Sequence, residues 1–230
     1  MYQLYIANKN YSSWSFRPWL LLTELGLPFE EHLMVFDEQR GNYEAFRKFS
    51  PTGKVPCLVD GTTTVWDSLA IAEYLAERHA GVWPTDPVAR AWARCAAAEM
   101  HAGFSVLRNQ CGMNCGIRVR LHQQSPELKK DVVRIDELWN EGLARFGGPF
   151  LAGPKFSAAD AFFGPVAFRI QTYGLELSPR AMAYTQRLLG LASTQRWYQA
   201  ALAEKWREKG HEEETLAAGV LLEDLRVPPG

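Results

Sequence analysis

The sequence predicts an α/β domain followed by an all-helical domain. Over residues 1–80, short strand-like apolar runs alternate with helical patterns in the order βαβαββα. Residues 81–87 carry two prolines and a glycine and show no periodicity, which is typical of a linker. Residues 88–210 show helical periodicity alone, with apolar residues three or four positions apart. Residues 211–230 form a C-terminal tail.

Periodicity and turn residues set the predicted elements of the first domain. Gly26 and Pro28 end the first helix, and the Asp60-Gly61 pair favours a tight hairpin. The predicted strands are residues 2–6, 29–36, 55–59 and 63–66, and the predicted helices are residues 16–25, 42–49 and 69–79. We expect a mixed four-stranded sheet, in which parallel strands come first and an antiparallel hairpin follows.

The second domain has helical patterns and no strand pattern. Its predicted helices are residues 89–108, 125–146, 158–173, 181–189 and 195–209. The tail contains a glutamate run and ends in Val-Pro-Pro-Gly. That composition is typical of a loosely held terminus.

Composition excludes several classes of function. The 230 residues carry a formal net charge of −1, which favours neither nucleic acid nor an anionic membrane as a partner. No apolar run reaches the roughly 18 residues of a membrane span, and the N-terminus enters a strand at once, without a signal-like segment. The four cysteines lack the spacing of metal ligands, so we expect free thiols in a reducing cytoplasm and no metal.

A cluster of serines lies where the first strand gives way to the first helix. Ser12, Ser13, Ser15 and Arg17 fall at the start of that helix. Unpaired backbone N–H groups and the positive end of the helix dipole stabilise anions at such a place, and a thiolate is an anion. The alternative is that the serines only cap the helix, since serine is a preferred N-cap residue.

Val55-Pro56 opens a strand-like run, although proline cannot donate to a sheet ladder. One explanation is a cis bond that leaves the Val55 backbone unpaired and able to pair with an extended peptide. The alternative is an edge strand with a trans proline. Further on, Asp67 and Ser68 precede an apolar helix. They either cap this helix or bind an amino-acid head group, in which case Asp67 contacts the ammonium and Ser68 contacts the carboxylate.

Four motifs in order carry a family resemblance. They are the serine turn, K-V-P-x-L at Lys54, D-S-x-A-I-x-E-Y-L at Asp67, and F-L-A-G-P-K-F-S-A-A-D-A at Phe150, in which Ser157 and Asp160 form a capping pair. Together they resemble the soluble glutathione transferases, of the serine type and closest to zeta- and theta-like bacterial members. The resemblance implies a thioredoxin-like N-terminal domain, an all-α C-terminal domain, a cytoplasmic homodimer and glutathione as co-substrate.

The resemblance also assigns catalytic roles. The zeta pattern S-S-C-S-x-R places Ser12 first as the donor that stabilises the glutathione thiolate, with Ser13 second and Arg17 adding positive potential. The theta-type spacing favours Ser13 instead, and Tyr11 and Tyr5 are rival hydroxyls.

The chain departs from the zeta pattern at Trp14, where that pattern has cysteine. The departure disfavours both maleylacetoacetate isomerisation and thiol-transferase chemistry. A buried strand position makes core packing the favoured role of Cys57.

The resemblance also implies which residues bind glutathione, while the electrophile pocket is expected at the serine turn and the first long helix of the second domain. The expected glutathione contacts are Lys54, Val55, Pro56, Asp67, Ser68 and Gln39, with Arg40 as an alternative to Lys54 and Gln39. The expected electrophile pocket contains Tyr11, Trp14, His101, Phe104, Arg108 and Met113.

The function implied is conjugation of glutathione to small hydrophobic electrophiles. The alternatives are a non-catalytic binding or regulatory protein on the same scaffold, a glutathione-dependent isomerase and a dehalogenase.

Overall fold

A computed structural model describes residues 1–36 and 42–230, and the first domain has the predicted order of elements. They are β1 (Tyr2–Ile6), α1 (Ser13–Glu24), β2 (Phe29–Leu33), α2 (Asn42–Phe46), β3 (Cys57–Asp60), β4 (Thr63–Val65) and α3 (Ser68–Ala76). The sheet order is β2-β1-β3-β4, with β1 parallel to β2 and the other neighbours antiparallel. The predicted thioredoxin-like arrangement is confirmed.

The second part of the chain is mainly helical, as predicted. Its helices are α4 (Pro87–Ala102), α5 (Ser105–Gln110), α6 (Pro126–Arg145), α7 (Ala158–Tyr173), α8 (Pro179–Gly190), α9 (Ala192–Leu202) and α10 (Lys209–Ala218). The domain boundaries at residues 80 and 88 stay predictions.

The prediction of one helix over residues 89–108 is wrong, because the chain turns between α4 and α5. Gly103 ends α4, where a Cβ would lie 2.7 Å from the Glu99 carbonyl oxygen. Phe104 then adopts a left-handed conformation with φ of 53°. That conformation is costly for a residue with a side chain and cannot continue a right-handed helix.

The prediction of a strand-free second domain with a loosely held tail is corrected. β5 (Ile117–Leu121) and β6 (Gly219–Asp224) form an antiparallel pair, so the tail folds back onto the helical part of the chain. Ile117 and Val119 are buried on one side of β5. The pairing needs a glycine at position 219, where a Cβ would lie 2.2 Å from the Arg120 carbonyl oxygen.

A network of ion pairs and hydrogen bonds anchors the tail. Arg226, 4% exposed, pairs with Glu212 and with Asp224, whose carboxylate lies 2.8 Å away. Glu212 also accepts a hydrogen bond from the Tyr11 hydroxyl at 2.7 Å and one from the Asn114 amide at 3.1 Å. Burial opposes ionisation of Glu212, but these bonds outweigh it and hold the pKa of Glu212 below its usual range.

Helix α7 lies at the centre of the molecule and packs against α1, α4 and α8. Its approach to α1 depends on Gly164, where a Cβ would lie 2.9 Å from Leu20 Cδ2 and 3.0 Å from Phe16 Cε1. This close packing fixes α1, and with it the serine turn, against the helical part of the chain.

The start of α7 is fixed by the predicted capping pair of Ser157 and Asp160. The buried Asp160 carboxylate accepts hydrogen bonds from the Ser157 N–H at 2.9 Å, the Leu151 N–H at 3.0 Å and the Tyr184 hydroxyl at 2.8 Å. Burial raises the pKa of Asp160, and these bonds partly oppose that effect. Ser157 Oγ is a fourth donor, at 3.1 Å.

We expect Asp160→Ala to lower the free energy of unfolding by about 3 kcal/mol or more, because it leaves several buried donors unpaired. Ser157→Ala removes one hydroxyl and should cost about 1 kcal/mol. Urea denaturation followed by circular dichroism measures both. Equal losses for the two variants, or no loss for Asp160→Ala, would contradict the central position of this carboxylate.

We expect Arg226→Ala to release the tail, because it leaves Glu212 without its cationic partner. Amides of β5 should then exchange with deuterium faster than in the wild type. Glu213→Ala is the control, since Glu213 is exposed on α10, the helix that also carries Glu212.

The same contact predicts a pH dependence of tail docking. Because the folded-state pKa of Glu212 is lowered, the contribution of Glu212 to tail docking is present above the ordinary carboxyl pKa and is lost as pH falls through the lowered value.

Unchanged deuterium exchange of the β5 amides in Arg226→Ala would show that the tail is held by other contacts.

Candidate active site

A cleft of about 520 Å³ lies between the α/β domain and the helical part of the chain. The serine turn forms its floor, and residues 53–55 before β3 form one wall. The opposite wall comes from α5, the segment after it and α7, through Arg108, Asn109, Gly112, Met113 and Arg169. The tail contributes His211 and Glu214 at the rim. A concave site between two structural units is a common position for a ligand.

The loop before α1 is held by α9 and the segment after it. The Glu204 carboxylate accepts hydrogen bonds from the backbone N–H groups of Lys9 at 2.6 Å and Asn10 at 3.3 Å. Trp197 Nε1 donates to the Lys9 carbonyl at 2.9 Å, and the Asn10 amide donates to the Ala201 carbonyl at 2.6 Å. These bonds fix the entry of the chain into the serine turn.

The two candidate serines have different hydrogen bonds. Ser12 is the N-cap residue of α1, and its hydroxyl donates to Ser15 Oγ at 2.7 Å. Ser13 Oγ accepts a hydrogen bond from Arg169 Nη2 at 3.3 Å. Within residues 1–36 and 42–230, no acceptor takes the Ser13 hydroxyl proton. Both serines line the cleft, but the Ser12 hydroxyl proton is donated to Ser15, whereas the Ser13 hydroxyl proton is available to a ligand.

Arg17 lies behind the cleft and does not line it. Its guanidinium is sandwiched between the Trp14 ring, 4.2 Å from the ring centroid, and the Phe162 ring at 4.9 Å. Nε and Nη1 are buried, with no hydrogen-bond partner in the described part of the chain. Burial and the nearby arginines Arg169 and Arg108 lower the pKa of Arg17 to about 9. Arg17 can therefore influence the cleft in two ways, by its contact with the Trp14 ring and by its positive charge.

The Val55–Pro56 peptide bond is cis, as one of the two sequence alternatives expected. Lys54 and Val55 line the cleft, and β3 begins only at Cys57. Among the described residues, no backbone partner is bonded to the Val55 N–H or carbonyl. The Val55 backbone is therefore available to an extended peptide in the cleft.

Asp67 and Ser68 lie at the start of α3 and, like Pro56, are not among the residues that line the cleft. Asp67 Oδ1 caps α3 by accepting from the Leu69 N–H at 2.9 Å, and its Oδ2 lies 3.2 Å from His101 Nε2. Ser68 Oγ is buried and has no partner in the part of the chain that the structure describes. Since an unpaired buried hydroxyl is costly, Ser68 has capacity for a ligand atom.

The predicted electrophile pocket is brought together in part. Tyr11, Trp14, Arg108 and Met113 line the cleft, whereas His101 and Phe104 do not. His101 contacts Asp67 because it projects from α4 toward α3, and burial lowers its pKa. Phe104 is the buried left-handed residue before α5. Gln39 and Arg40 lie outside the described residues.

Neither rival tyrosine hydroxyl is free. The Tyr11 hydroxyl donates to Glu212, and burial together with this bond raises the pKa of Tyr11. The Tyr5 hydroxyl donates to Gln3 at 3.3 Å, and its ring stacks on Phe49 outside the cleft.

Among the cleft residues that the sequence predictions missed are Arg169 and His211. Arg169 interrupts the apolar stretch Val-Ala-Phe-Arg-Ile of α7, and a charge inside an otherwise apolar helix was a signal that could have identified it. His211 stacks on Tyr11 with 5.0 Å between ring centroids and on Phe36 at 5.4 Å. Its place depends on the fold of the tail, for which the sequence carries no local signal.

The described residues contain no group of three or more potential His, Cys, Asp or Glu metal ligands. In the same ranges, no helix combines the length and the apolar character needed to cross a membrane.

Comparison with known proteins gives two family matches in chain order. Residues 11–78 match the family described as "Glutathione S-transferase, N-terminal domain", and residues 122–200 match "Glutathione S-transferase, C-terminal domain". The chain is 30% identical to glutathione S-transferase GstB of Escherichia coli K12 over 195 residues, which cover 78% of this chain and 84% of the relative.

Two further comparisons are more limited. The chain is 46% identical to dichloromethane dehalogenase of Methylorubrum extorquens over 63 residues, which cover 26% of this chain and 22% of the relative. The crystal structure of a theta-class glutathione S-transferase from Xanthomonas axonopodis pv. citri with glutathione bound superposes with a TM-score of 0.62 at 24% identity. That superposition covers 86% of this chain and 96% of the other, and it shows a shared fold. The two family matches and the similarity to GstB together show that the chain belongs to the glutathione S-transferase family.

Proposed function

We propose that this protein is a glutathione transferase that joins the glutathione sulfur to small electrophiles with an apolar body. The observation that carries the proposal is the Ser13 hydroxyl at the N-terminus of α1. This hydroxyl accepts a hydrogen bond from Arg169, its own proton has no acceptor among the described residues, and it lines the same cleft as the unpaired Val55 backbone.

The proposed site holds glutathione along the wall of residues 53–55. The Val55 backbone pairs with the cysteinyl residue of glutathione, as in strand addition. Asp67 takes the γ-glutamyl ammonium, and the Ser68 hydroxyl and N–H take its carboxylate. Lys54 attracts the glycyl carboxylate. Lys54 and Val55 line the cleft, whereas Asp67 and Ser68 at the start of α3 lie outside its lining, so in this proposal the γ-glutamyl end extends beyond the cleft to reach them.

Catalysis in this proposal rests on stabilising the thiolate. The Ser13 hydroxyl donates a hydrogen bond to the sulfur, and the dipole of α1 adds positive potential. A hydrogen bond to a charged group contributes roughly 1.5–3 kcal/mol, which lowers the thiol pKa by one to two units. The thiol proton leaves to solvent, the sulfur forms a bond to the electrophilic carbon, and the leaving group departs with the electron pair of the broken bond.

Arg169 gives Ser13 the advantage over Ser12 in this role. Its guanidinium occupies a lone pair of Ser13 Oγ, so the hydroxyl proton is directed to another acceptor. The Ser12 proton is already donated to Ser15. We therefore propose Ser13, the second of the two serines in the sequence prediction, as the thiolate donor.

A dehalogenase is the second candidate function, and the similarity to dichloromethane dehalogenase over 63 residues favours it. Its chemistry is the same displacement, with halide as the leaving group. Trp14 continues to disfavour the isomerase. A homodimer in the cytoplasm is a further part of the proposal, supported by family membership and by four cysteines that are all free thiols.

We expect Ser13→Ala to raise the pKa of enzyme-bound glutathione by one to two units, because it removes the thiolate donor. Ser12→Ala is the matched control and should change that pKa by less than about half a unit, since its hydroxyl bonds to Ser15. Ultraviolet absorbance of the thiolate during a pH titration measures both. A larger effect of Ser12→Ala would return the role to Ser12, and no effect of either variant would exclude a serine mechanism.

We expect Ser68→Ala to weaken glutathione binding about tenfold, because a charge-assisted hydrogen bond to the γ-glutamyl carboxylate is lost. Isothermal titration calorimetry measures the dissociation constant. Thr62→Ala, on the exposed hairpin between β3 and β4, is the control and should leave it unchanged. Absence of binding to the wild-type protein at millimolar glutathione would overturn the proposed function.

A further inference from the structure

Three arginines lie in the cleft or next to it. Arg108 and Arg169 line the cleft, and Arg17 lies behind Trp14. Among the described residues, none of the three has a carboxylate oxygen within 4 Å. By contrast, Arg134 and Arg226 each pair closely with carboxylates.

The contacts that these arginines do make are with neutral groups. Arg169 is 3% exposed and donates to the carbonyl oxygens of Cys111 at 2.8 Å and Pro165 at 3.3 Å, and to Ser13 Oγ. Arg108 donates to the His101 carbonyl at 3.0 Å, and its guanidinium lies 5.4 Å from the centroid of the Trp14 ring.

Such a cluster is costly unless an anion completes it. Burial of a cation without a counter-ion is unfavourable, and like charges at short range add to the cost. Burial and the charge of Arg108 lower the pKa of Arg169 to about 10, whereas the charges of Asp131 and Asp67 partly offset the same effect on the pKa values of Arg108 and Arg17. Glu214 lines the rim of the cleft but is not within 4 Å of any of the three guanidinium groups in the described structure.

The walls of the cleft separate two anion positions. Lys54 and Val55 belong to the wall before β3, where the proposed function places glutathione. Arg108 and Arg169 belong to the opposite wall, with Met113 between helical segments and the Trp14 ring at the floor. An apolar body lying against Trp14 and Met113 would place a negative group at the arginines and an electrophilic carbon toward Ser13.

We propose that the electrophilic substrate carries a carboxylate, which Arg108 and Arg169 bind while its apolar body lies against Trp14. This inference rests on the proposed function, because it assigns the second substrate of the same site. A planar guanidinium is suited to a carboxylate through paired hydrogen bonds. The proposal narrows the expected class of electrophilic substrate from small hydrophobic compounds to amphipathic acids.

The test compares two aryl chlorides that differ in one charge, 4-chloro-3-nitrobenzoate and 4-chloro-3-nitrobenzamide. In each the glutathione sulfur bonds to the ring carbon that bears chlorine, and chloride leaves with the bonding electrons. We expect the wild-type protein to favour the benzoate in kcat/KM, after division by the rate of each compound with glutathione alone.

Arg108→Gln should lower kcat/KM for the benzoate by about 10- to 100-fold and change that for the benzamide by less than about threefold. Arg134→Gln is the matched control, since Arg134 pairs with Glu99 on α4 and does not line the cleft. It should leave both substrates unaffected.

Equal loss for both substrates in Arg108→Gln, or a wild-type preference for the benzamide, overturns the inference. A weaker glutathione affinity in Arg108→Gln, measured by calorimetry, also overturns it, because the anion bound there would then be a carboxylate of glutathione. In each of these outcomes the wild-type protein still binds glutathione and conjugates the benzamide, so they are distinct from failure of the proposed function, in which the wild type neither binds glutathione nor conjugates either compound.

Discussion

The packing of α1 on α7 is the contact on which the candidate site depends. Gly164 allows Phe16 and Leu20 of α1 to approach the α7 backbone closely. Five residues further along α7, Arg169 donates a hydrogen bond to Ser13 Oγ. The same contact joins the α/β domain to the helical part of the chain, so the serine turn becomes the floor of a cleft instead of an isolated helix N-terminus. A helix N-terminus alone is a weak anion site. The hydrogen bond from Arg169 orients the Ser13 hydroxyl at this N-terminus.

Positive charge exceeds paired negative charge around this cleft, because a carboxylate that the tail brings near it is already paired within the tail. Arg226 neutralises Glu212, while Tyr11 and Asn114 share the same carboxylate. The charge of Glu212 is therefore used within the tail network, whereas Glu214 of the same helix lines the cleft. Arg108 and Arg169 have no carboxylate partner among the described residues, so positive charge remains on the side of the cleft where we propose that an anionic substrate binds.

The sequence predicted what depends on local patterns. Alternating periodicity gave the order of the α/β domain, and the Ser157–Asp160 spacing gave the start of α7. It did not predict β5 and β6, because their pairing joins segments about a hundred residues apart and neither strand has a long local pattern. It ranked Ser12 above Ser13, and the hydrogen bond that leads us to propose Ser13 instead comes from Arg169 on a distant helix, which local patterns do not place. It placed His101 in the electrophile pocket, although the helix crossing directs it to Asp67.

A crystal structure of the protein with reduced glutathione bound tests the central claim most directly. We expect the glutathione sulfur within hydrogen-bonding distance of Ser13 Oγ, with the Arg169–Ser13 and Ser12–Ser15 contacts unchanged and the cysteinyl backbone paired with Val55. A sulfur bound instead to Ser12, with its bond to Ser15 broken, or to the Tyr11 hydroxyl, with Glu212 displaced, would contradict the claim that Arg169 prepares Ser13 for the thiolate.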